Sequence, residues 1–229
     1  MSAVLPSSNL VAAFEQLVRR RRATPHFSSE EVPATVIETA LQLAAEAPSG
    51  YNLQPWRYVV VQDAAVRARL RQAAFDQEKI TEAPVVIVAC AEHDAWMKHM
   101  PEIFATRARH QGRADEDHSK ARQQALDFIT TLSREVWLNR HVMIGFTYLM
   151  LAFEALGWDT APMEGFKAPA VREVVGLPPD AAVVALLAVG RAAGAEPPHP
   201  GRLKITHLAS SDRFGQPLNL PTPARAHAA

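Results

Sequence analysis

The spacing of apolar residues along the chain predicts an alternation of helices and short strands. Apolar residues recur every three to four positions over Asn9–Arg21, which predicts an amphipathic helix. A second helix is predicted over Pro33–Ala47, and it ends there because Pro48 disfavours helical geometry in the residue before it. Similar patterns predict helices at Ala64–Ala74 and Ala168–Val175.

Three apolar segments are predicted as strands, and they are Trp56–Val61, Val85–Cys90 and Ala182–Val189. The proline-bounded segment Pro48–Pro55, which precedes the first of them, is predicted as a loop. With 229 residues, the chain is long enough for one self-sufficient core or at most two small ones, and its sequence has no internal repeat.

The longest predicted helix runs from Ser133 to Leu156 and is capped by Gly157. Its stretch Val142–Phe153 is apolar all round, which is typical of a helix buried on every side. In a chain this short, a partner subunit is a reasonable source of that cover.

The remaining segments define the predicted organisation. Glu92–Lys120 is the most polar part and is predicted as helix and loop. Residues 1–8 are predicted to be a flexible N-terminus, residues 9–220 a single domain with a proline-rich arm after Ala193, and residues 221–229 a disordered tail.

The 229-residue chain has 24 basic and 24 acidic residues, which argues against a protein that binds polyanions through bulk charge. Its single cysteine, Cys90, excludes an intramolecular disulfide and is expected to be an inert core thiol. Met1–Val18 has no basic residue before its apolar part, the reverse of a secretory signal, and no segment approaches the ~20 apolar residues that span a bilayer. A cytoplasmic location without membrane or nucleic-acid partners is therefore expected.

Several common catalytic sites are not supported. No Gly-x-Gly-x-x-Gly follows a predicted strand, and the sequence has neither a phosphate loop nor a nucleophile elbow. The nine histidines lack metal-binding spacing, so no metal site is expected.

Three segments remain as candidates for a binding or catalytic site. Arginine matches phosphate groups bidentately, so the run Arg19–Arg22 either holds a phosphate or places positive charge at a helix C-terminus. The loop Pro48–Pro55 offers polar groups in a stiff frame, and Asp159–Phe166 offers backbone amides after Pro162; each is otherwise an ordinary connection.

The order and separation of these segments resemble the FMN-dependent nitroreductase family over about Leu17–Arg202. The resemblance is carried by Pro-Ser-Gly-Tyr-Asn-Leu-Gln-Pro-Trp-Arg at 48–57 together with Pro-Met-Glu-Gly-Phe at 162–166. It implies an α+β fold in which helices surround a central, mostly antiparallel sheet. It also implies an intertwined homodimer with two FMN molecules in the interface, and Ser133–Leu156 as the dimerisation helix.

The resemblance implies a cofactor-binding set of fourteen residues. The phosphate end is assigned to Arg21, Arg22 and Arg202, and the loop that contacts the neighbouring subunit's flavin to Pro48, Ser49, Gly50 and Asn52. The ring is assigned to Gln77, Lys79, Pro162, Met163, Glu164 and Gly165, with a backbone amide of the last four meeting flavin N5; His141 either touches the site or is structural. The chain departs from the family pattern at Ala23, Pro25, Asp76 and Pro200.

The reaction implied is ping-pong reduction of an electron-poor acceptor, such as a nitroaromatic or a quinone, with NADPH or NADH as co-substrate and no catalytic side chain. Acceptor choice is expected to lie in Glu92–Lys120. The alternatives are an enoate (ene) reductase or reductive dehalogenase of the same fold, a non-catalytic flavin-binding regulatory module, and a nucleic-acid-binding protein that uses Arg19–Arg22. Zero net charge argues against the last.

Overall fold

A four-stranded antiparallel sheet organises the computed structural model, which describes residues 8–92, 94–113, 118–195 and 197–219. The strands lie side by side in the order β1, β2, β4, β3, with the bounds Arg57–Val61 for β1, Val85–Ala91 for β2, Asp159–Met163 for β3 and Ala182–Gly190 for β4. Eight helices belong to the described residues, and they are α1 (Ser8–Arg20), α2 (Ala34–Ala45), α3 (Ala64–Ala73), α4 (Lys79–Glu82), α5 (Ala95–His110), α6 (Ser119–Thr130), α7 (Arg134–Ala155) and α8 (Ala168–Val175).

Both faces of the sheet are covered by helices. Strand β2 is buried throughout because its alternate side chains enter two different core clusters. Val85 and Ile87 pack in the cluster that contains residues of α2 and α7, whereas Val86 and Val88 pack in the cluster that contains residues of α3, α4 and α8. This arrangement confirms the predicted α+β class with an antiparallel sheet surrounded by helices.

The predicted helices and strands occur within one or two residues of their expected bounds, with one strand missed. Asp159–Met163 is not a turn but the edge strand β3, in which Thr160 pairs with Val189 and Pro162 with Leu187 of β4. Proline cannot donate a ladder hydrogen bond, so Pro162 is compatible with an edge strand but lowers the strand signal in the sequence. Helix α4 was not predicted either, nor was α6 beyond Lys120.

Helix α7 packs between the sheet and α2, yet within one chain it is not buried on every side. Phe146, Leu149 and Phe153 are buried, whereas Ile144 and Tyr148 are exposed on another face, 37% and 42% respectively. An apolar strip of this helix therefore remains uncovered in the single chain, and its predicted cover by a partner subunit stays a prediction.

The chain divides into two units, Met1–Glu196 and Pro197–Ala229. The second contains a short 3-10 turn at Ile205–His207 and a bridge between Ser210 and Pro217. The single domain predicted for 9–220 stays a prediction. The segments predicted as a flexible N-terminus (1–8) and a disordered tail (221–229) lie outside the described residues, except for Ser8, at which α1 begins. No helix of the described residues has the length and apolar character needed to cross a membrane.

Candidate cofactor site

The loop of residues 48–56, between α2 and β1, is fastened to helix α7 by one histidine. The backbone N–H of Gly50 donates to Nε2 of His141 over 3.0 Å, and Nδ1 of His141 donates to the carbonyl oxygen of Trp137 over 2.7 Å. Because Nε2 accepts, this arrangement requires the neutral imidazole with its proton on Nδ1. A Cβ added to Gly50 would lie 3.3 Å from Nε2 of His141, which is a tight contact. Helix α7 thus sets the position of the loop.

The same loop has a backbone conformation that residues other than glycine rarely adopt. Tyr51, Asn52 and Gln54 have φ values of 56°, 60° and 46°, in the left-handed region. Ser49 stabilises this turn, since its Oγ accepts the backbone N–H of Gln54 over 3.0 Å. Left-handed residues that are not glycine concentrate at ligand-binding sites, and three of them in four positions mark this loop as a candidate.

A second left-handed pair, Phe75 and Asp76, occupies the connection between α3 and α4, with φ values of 54° and 58°. Asp76 accepts from Nε of Arg71 over 2.6 Å and from Nη2 over 3.3 Å, and these hydrogen bonds and the positive charge lower the pKa of Asp76. The Asp76 carboxylate is therefore balanced by Arg71. In contrast, the ammonium group of Lys79 makes no hydrogen bond or ion pair with other described residues, so its charge is available to a ligand.

Gln77 joins this connection to the segment that follows β3. Its Nε2 donates to the carbonyl oxygen of Gly165 over 2.8 Å, and the backbone N–H of Lys167 donates to the carbonyl oxygen of Ala73 over 2.8 Å. A Cβ at Gly165 would meet ordinary contacts, the nearest being 3.5 Å to Nε2 of Gln77. Packing within the chain does not require a glycine here, and Gly165 is exposed, so a ligand can approach its backbone.

The end of β3 places backbone donors at the surface. Met163 is buried in the core, whereas Glu164 and Gly165 are exposed. Within the described part of the chain, the backbone N–H groups of Glu164 and Gly165 donate to no acceptor. Such donors suit the polar edge of a flat heterocycle.

The arginine run at the end of α1 has three different environments. Arg20 donates to the buried carboxylate of Glu154 over 2.6 Å, and Nη1 of Arg22 donates to the carbonyl oxygens of Arg19 and Arg21 over 2.5 and 2.9 Å. Arg22 thus caps the helix C-terminus, one of the two alternatives from the sequence. Nη1 of Arg21 is buried and has no hydrogen-bond partner among the described residues, and the same is true of Oγ1 of Thr160 on β3. A buried, unpaired guanidinium nitrogen is costly unless an anion reaches it.

The structure brings together some of the predicted residues and leaves others apart. Gln77 contacts Gly165, and Gly50 contacts His141, but no hydrogen bond or ring contact links these two groups in the described part of the chain. Arg202 belongs to the second unit, where its Nη1 donates to the carbonyl oxygen of Gly201 over 2.6 Å. The assignments of all fourteen residues to a cofactor stay predictions.

Sequence reasoning missed the residues that support this site. Arg71 balances Asp76, and Trp137 accepts from His141 through its carbonyl oxygen and lies against the imidazole ring with 4.3 Å between centroids. Only the four-residue spacing of Trp137 and His141 on α7 could have indicated their contact.

One group of side chains has the proximity of metal ligands, although no metal site was expected. His26, Glu78 and Glu82 each offer one ligand atom, and these atoms lie within 4.8 Å of one another. The carboxylates have other partners, since Glu82 accepts the backbone N–H of Phe27 over 3.2 Å and Glu78 lies 3.8 Å from Arg71. We assign no metal to this group.

Comparison with known proteins places this geometry in context. The profile of the Nitroreductase family matches residues 18–191. A protein of Thermus thermophilus named NADH dehydrogenase is 38% identical over 171 residues, which cover 75% of this chain and 82% of that protein. An iodotyrosine deiodinase of Haliscomenobacter hydrossis is 42% identical over 67 residues, which cover 29% of this chain and 30% of that protein.

A solved structure from Exiguobacterium sibiricum, described as a candidate nitroreductase in complex with FMN, has the same fold. It superposes with a TM-score of 0.74 at 24% sequence identity, and the match covers 86% of this chain and 96% of that one. The sheet order and helix layers described above are therefore those of an established fold.

Proposed function

Because the chain belongs to the nitroreductase family, we propose that it binds FMN and uses NADPH or NADH to reduce electron-poor acceptors such as nitroaromatics or quinones. The chain is an NAD(P)H-dependent oxidoreductase of that family. FMN in this particular chain, the acceptor class and the ping-pong order are the parts we propose.

The hydrogen bond between Gln77 and Gly165 carries the proposal. It joins two segments that are 88 residues apart. Lys79 follows two residues after Gln77 on the first segment, and the free backbone N–H groups of Glu164 and Gly165 lie on the second. A cation and backbone donors on two joined segments suit the polar edge of a flavin ring. Gly165 is exposed and has no side chain, so a flat ring can approach the backbone closely.

At the other end of β3, Arg21 is the candidate partner for the phosphate group of the cofactor. Ala23 bridges to Thr160, and Thr24 donates its backbone N–H to the carbonyl oxygen of Thr160 over 3.0 Å, so the arginine run ends beside the start of β3. At about 3.3 Å per residue, β3 separates its two ends by about 13 Å. An elongated cofactor can therefore lie along this edge strand, with its phosphate at Arg21 and its ring at Gly165.

The residues have separate roles in this proposal. When bound, FMN supplies the chemistry by accepting a hydride from the reduced nicotinamide and passing electrons to the acceptor. Lys79 presents a positive charge that favours the more negatively charged, reduced cofactor. Arg21 holds the phosphate, and the loop at Gly50 and Asn52 is held ready by His141. No side-chain nucleophile or general acid is required.

The apolar surface of the single chain supports our proposal of a homodimer. Helix α1 exposes Leu10 by 63% and Phe14 by 58%, and α7 exposes Ile144 and Tyr148. Apolar side chains grouped on two helix surfaces in this way are typical of an interface. We propose that a second copy covers them and that the 48–56 loop serves the neighbouring subunit's cofactor. Light scattering after size exclusion is expected to show twice the chain mass.

The visible spectrum of the purified protein is the first test. It is recorded as purified or after incubation with FMN, and again after anaerobic addition of NADPH and then NADH. A flavin spectrum that either nicotinamide bleaches is the expected result. A protein that stays colourless after incubation with FMN refutes cofactor binding, and a bound flavin that neither nicotinamide bleaches favours the regulatory module.

A second candidate function, reductive dehalogenation, is favoured by the 67-residue similarity to iodotyrosine deiodinase. It uses the same cofactor site and differs in the acceptor. A parallel screen of a nitroaromatic, an activated alkene and a halogenated phenol distinguishes the three reductions. Turnover of the halogenated phenol alone would replace the proposed acceptor class.

A further inference from the structure

An open cleft of about 590 Å³ lies between the 48–56 loop region and helix α5. Asn52, Gln54 and Arg57 line one side of it, and His99, Arg107 and His110 on α5 line the other. Its volume is in the range of pockets that bind single small organic molecules. Asn52, one of the residues that line the cleft, is also one of the predicted cofactor-binding residues.

Positive charge predominates in this cleft. Arg57 and Arg107 are permanently charged, and Glu102 is the one carboxylate among the lining residues. Oε2 of Glu102 lies 3.8 Å from Nδ1 of His99, so this carboxylate and the imidazole are neighbours on α5.

Both guanidinium groups have a defined position. Nη1 of Arg57 donates to the carbonyl oxygens of Gln54 and Trp56 over 3.1 and 2.7 Å, which directs the group along the loop. The Arg107 guanidinium carbon lies 4.6 Å over the ring of Phe104. A guanidinium held in this way loses little conformational entropy when it binds a carboxylate through two hydrogen bonds.

We propose that this cleft recognises the carboxylate of an aromatic or conjugated organic acid that serves as the electron acceptor. The proposal rests on the proposed function, since it concerns the substrate of that site. Ile103 adds an apolar surface beside Arg107, a combination that suits a ring bearing an acid group. The hydrogen bond from the Gln54 N–H to Ser49 Oγ holds the loop side of the cleft in this left-handed conformation.

The test compares two acceptors of nearly equal shape, 4-nitrobenzoate and 4-nitrobenzamide, which differ in charge. The wild-type enzyme is expected to have a higher kcat/KM for the carboxylate, and added salt is expected to reduce this preference. In Arg107→Gln the preference should fall roughly tenfold or more, because a hydrogen bond to a charged group is lost. Lys98→Gln removes the same charge from α5 at a residue outside the cleft lining, and it should retain the preference.

A change in the opposite direction provides a second variant. Glu102→Gln removes the negative charge from the cleft and should increase the preference for the carboxylate. This variant keeps the proposal testable if Arg107→Gln does not fold.

The possible outcomes separate this proposal from the proposed function. A flavin that no nicotinamide bleaches contradicts the proposed function before any acceptor is compared. Turnover of both acceptors with the same preference in wild type and variants contradicts the carboxylate site alone. A rise in the KM for NADPH in Arg107→Gln, with the acceptor preference unchanged, would assign the cleft to the phosphates of the nicotinamide donor and overturn the proposal.

Discussion

Replacing His141 by leucine removes both hydrogen bonds of the imidazole, one to the 48–56 loop and one within helix α7. Gly50 then loses the acceptor of its backbone N–H, and the carbonyl oxygen of Trp137 loses the donor at Nδ1. A neutral hydrogen bond contributes about 0.5–1.5 kcal/mol net, and Gly50 is half-buried, so water can replace part of the loss. We therefore expect that ordering the loop requires about 1 kcal/mol more free energy in His141→Leu than in the wild type.

That cost should appear in cofactor affinity if the loop must be ordered for FMN to bind. One kcal/mol corresponds to roughly a fivefold increase in Kd. The assay is titration of the apoprotein with FMN, followed by quenching of flavin fluorescence, with thermal unfolding measured in parallel. The expected result is a fivefold to tenfold weaker Kd, by the same arithmetic, and a lower Tm.

His141→Gln is the matched control. Its carboxamide oxygen can accept from Gly50 in place of Nε2, while the ring contact with Trp137 is lost in both variants. We expect the glutamine variant to bind FMN more tightly than the leucine variant. Wild-type affinity in His141→Leu would refute the positioning role. A normal Tm with equally poor binding in both variants would instead indicate direct contact between the imidazole and the cofactor.

Three further predictions concern the scaffold. A Cβ at Gly145 would lie 2.6 Å from Tyr58 Oη, so Gly145→Ala should destabilise the fold by about 1–3 kcal/mol where a helical Gly→Ala ordinarily stabilises; thermal unfolding should show a smaller loss when Tyr58→Phe is also present. Burial raises the pKa of Cys90 to about 11, so a thiol reagent at neutral pH should label it after denaturation and not before. Arg71 lowers the pKa of Asp76, so the stabilisation is present above its unfolded pKa of about 4 and is lost as pH falls through the folded value. The Tm difference between wild type and Asp76→Asn should accordingly be present at neutral pH and vanish in acid; a difference that persists in acid would contradict the ion pair.

Local pattern is sufficient for the elements whose burial has a single period. The amphipathic spacing of α1 and the continuous apolar run of β2 predict both elements to within one residue at either end. Strand β3 has no such pattern, because Pro162 interrupts it and its pairing with β4 depends on residues more than twenty positions away. Its existence follows from the sheet and not from its own sequence.

The candidate site shows the same division between local and distant information. The motifs at 48–57 and 162–166 identify its segments. The sequence also offered two roles for the arginine run, phosphate binding or positive charge at a helix C-terminus, and Arg22 has the second role. The contacts that shape the site connect positions 88 and 91 residues apart, Gln77 with Gly165 and Gly50 with His141. No periodicity reports such pairs, so residue types could be predicted while their geometry could not.

The environment of Arg21 is the step from these contacts to a ligand. A folded chain normally pairs its buried polar groups, and Arg20 and Arg22 on either side satisfy this rule with Glu154 and with helix carbonyl oxygens. Arg21 does not satisfy it within the described part of the chain, although it lies beside the start of the strand that ends at the predicted ring contacts. The proposed elongated anionic ligand would supply a partner both to the unpaired cation at one end of β3 and to the free backbone donors at the other. If the unpaired guanidinium of Arg21 and the free backbone N–H groups of Glu164 and Gly165 were unrelated, each would need a separate explanation.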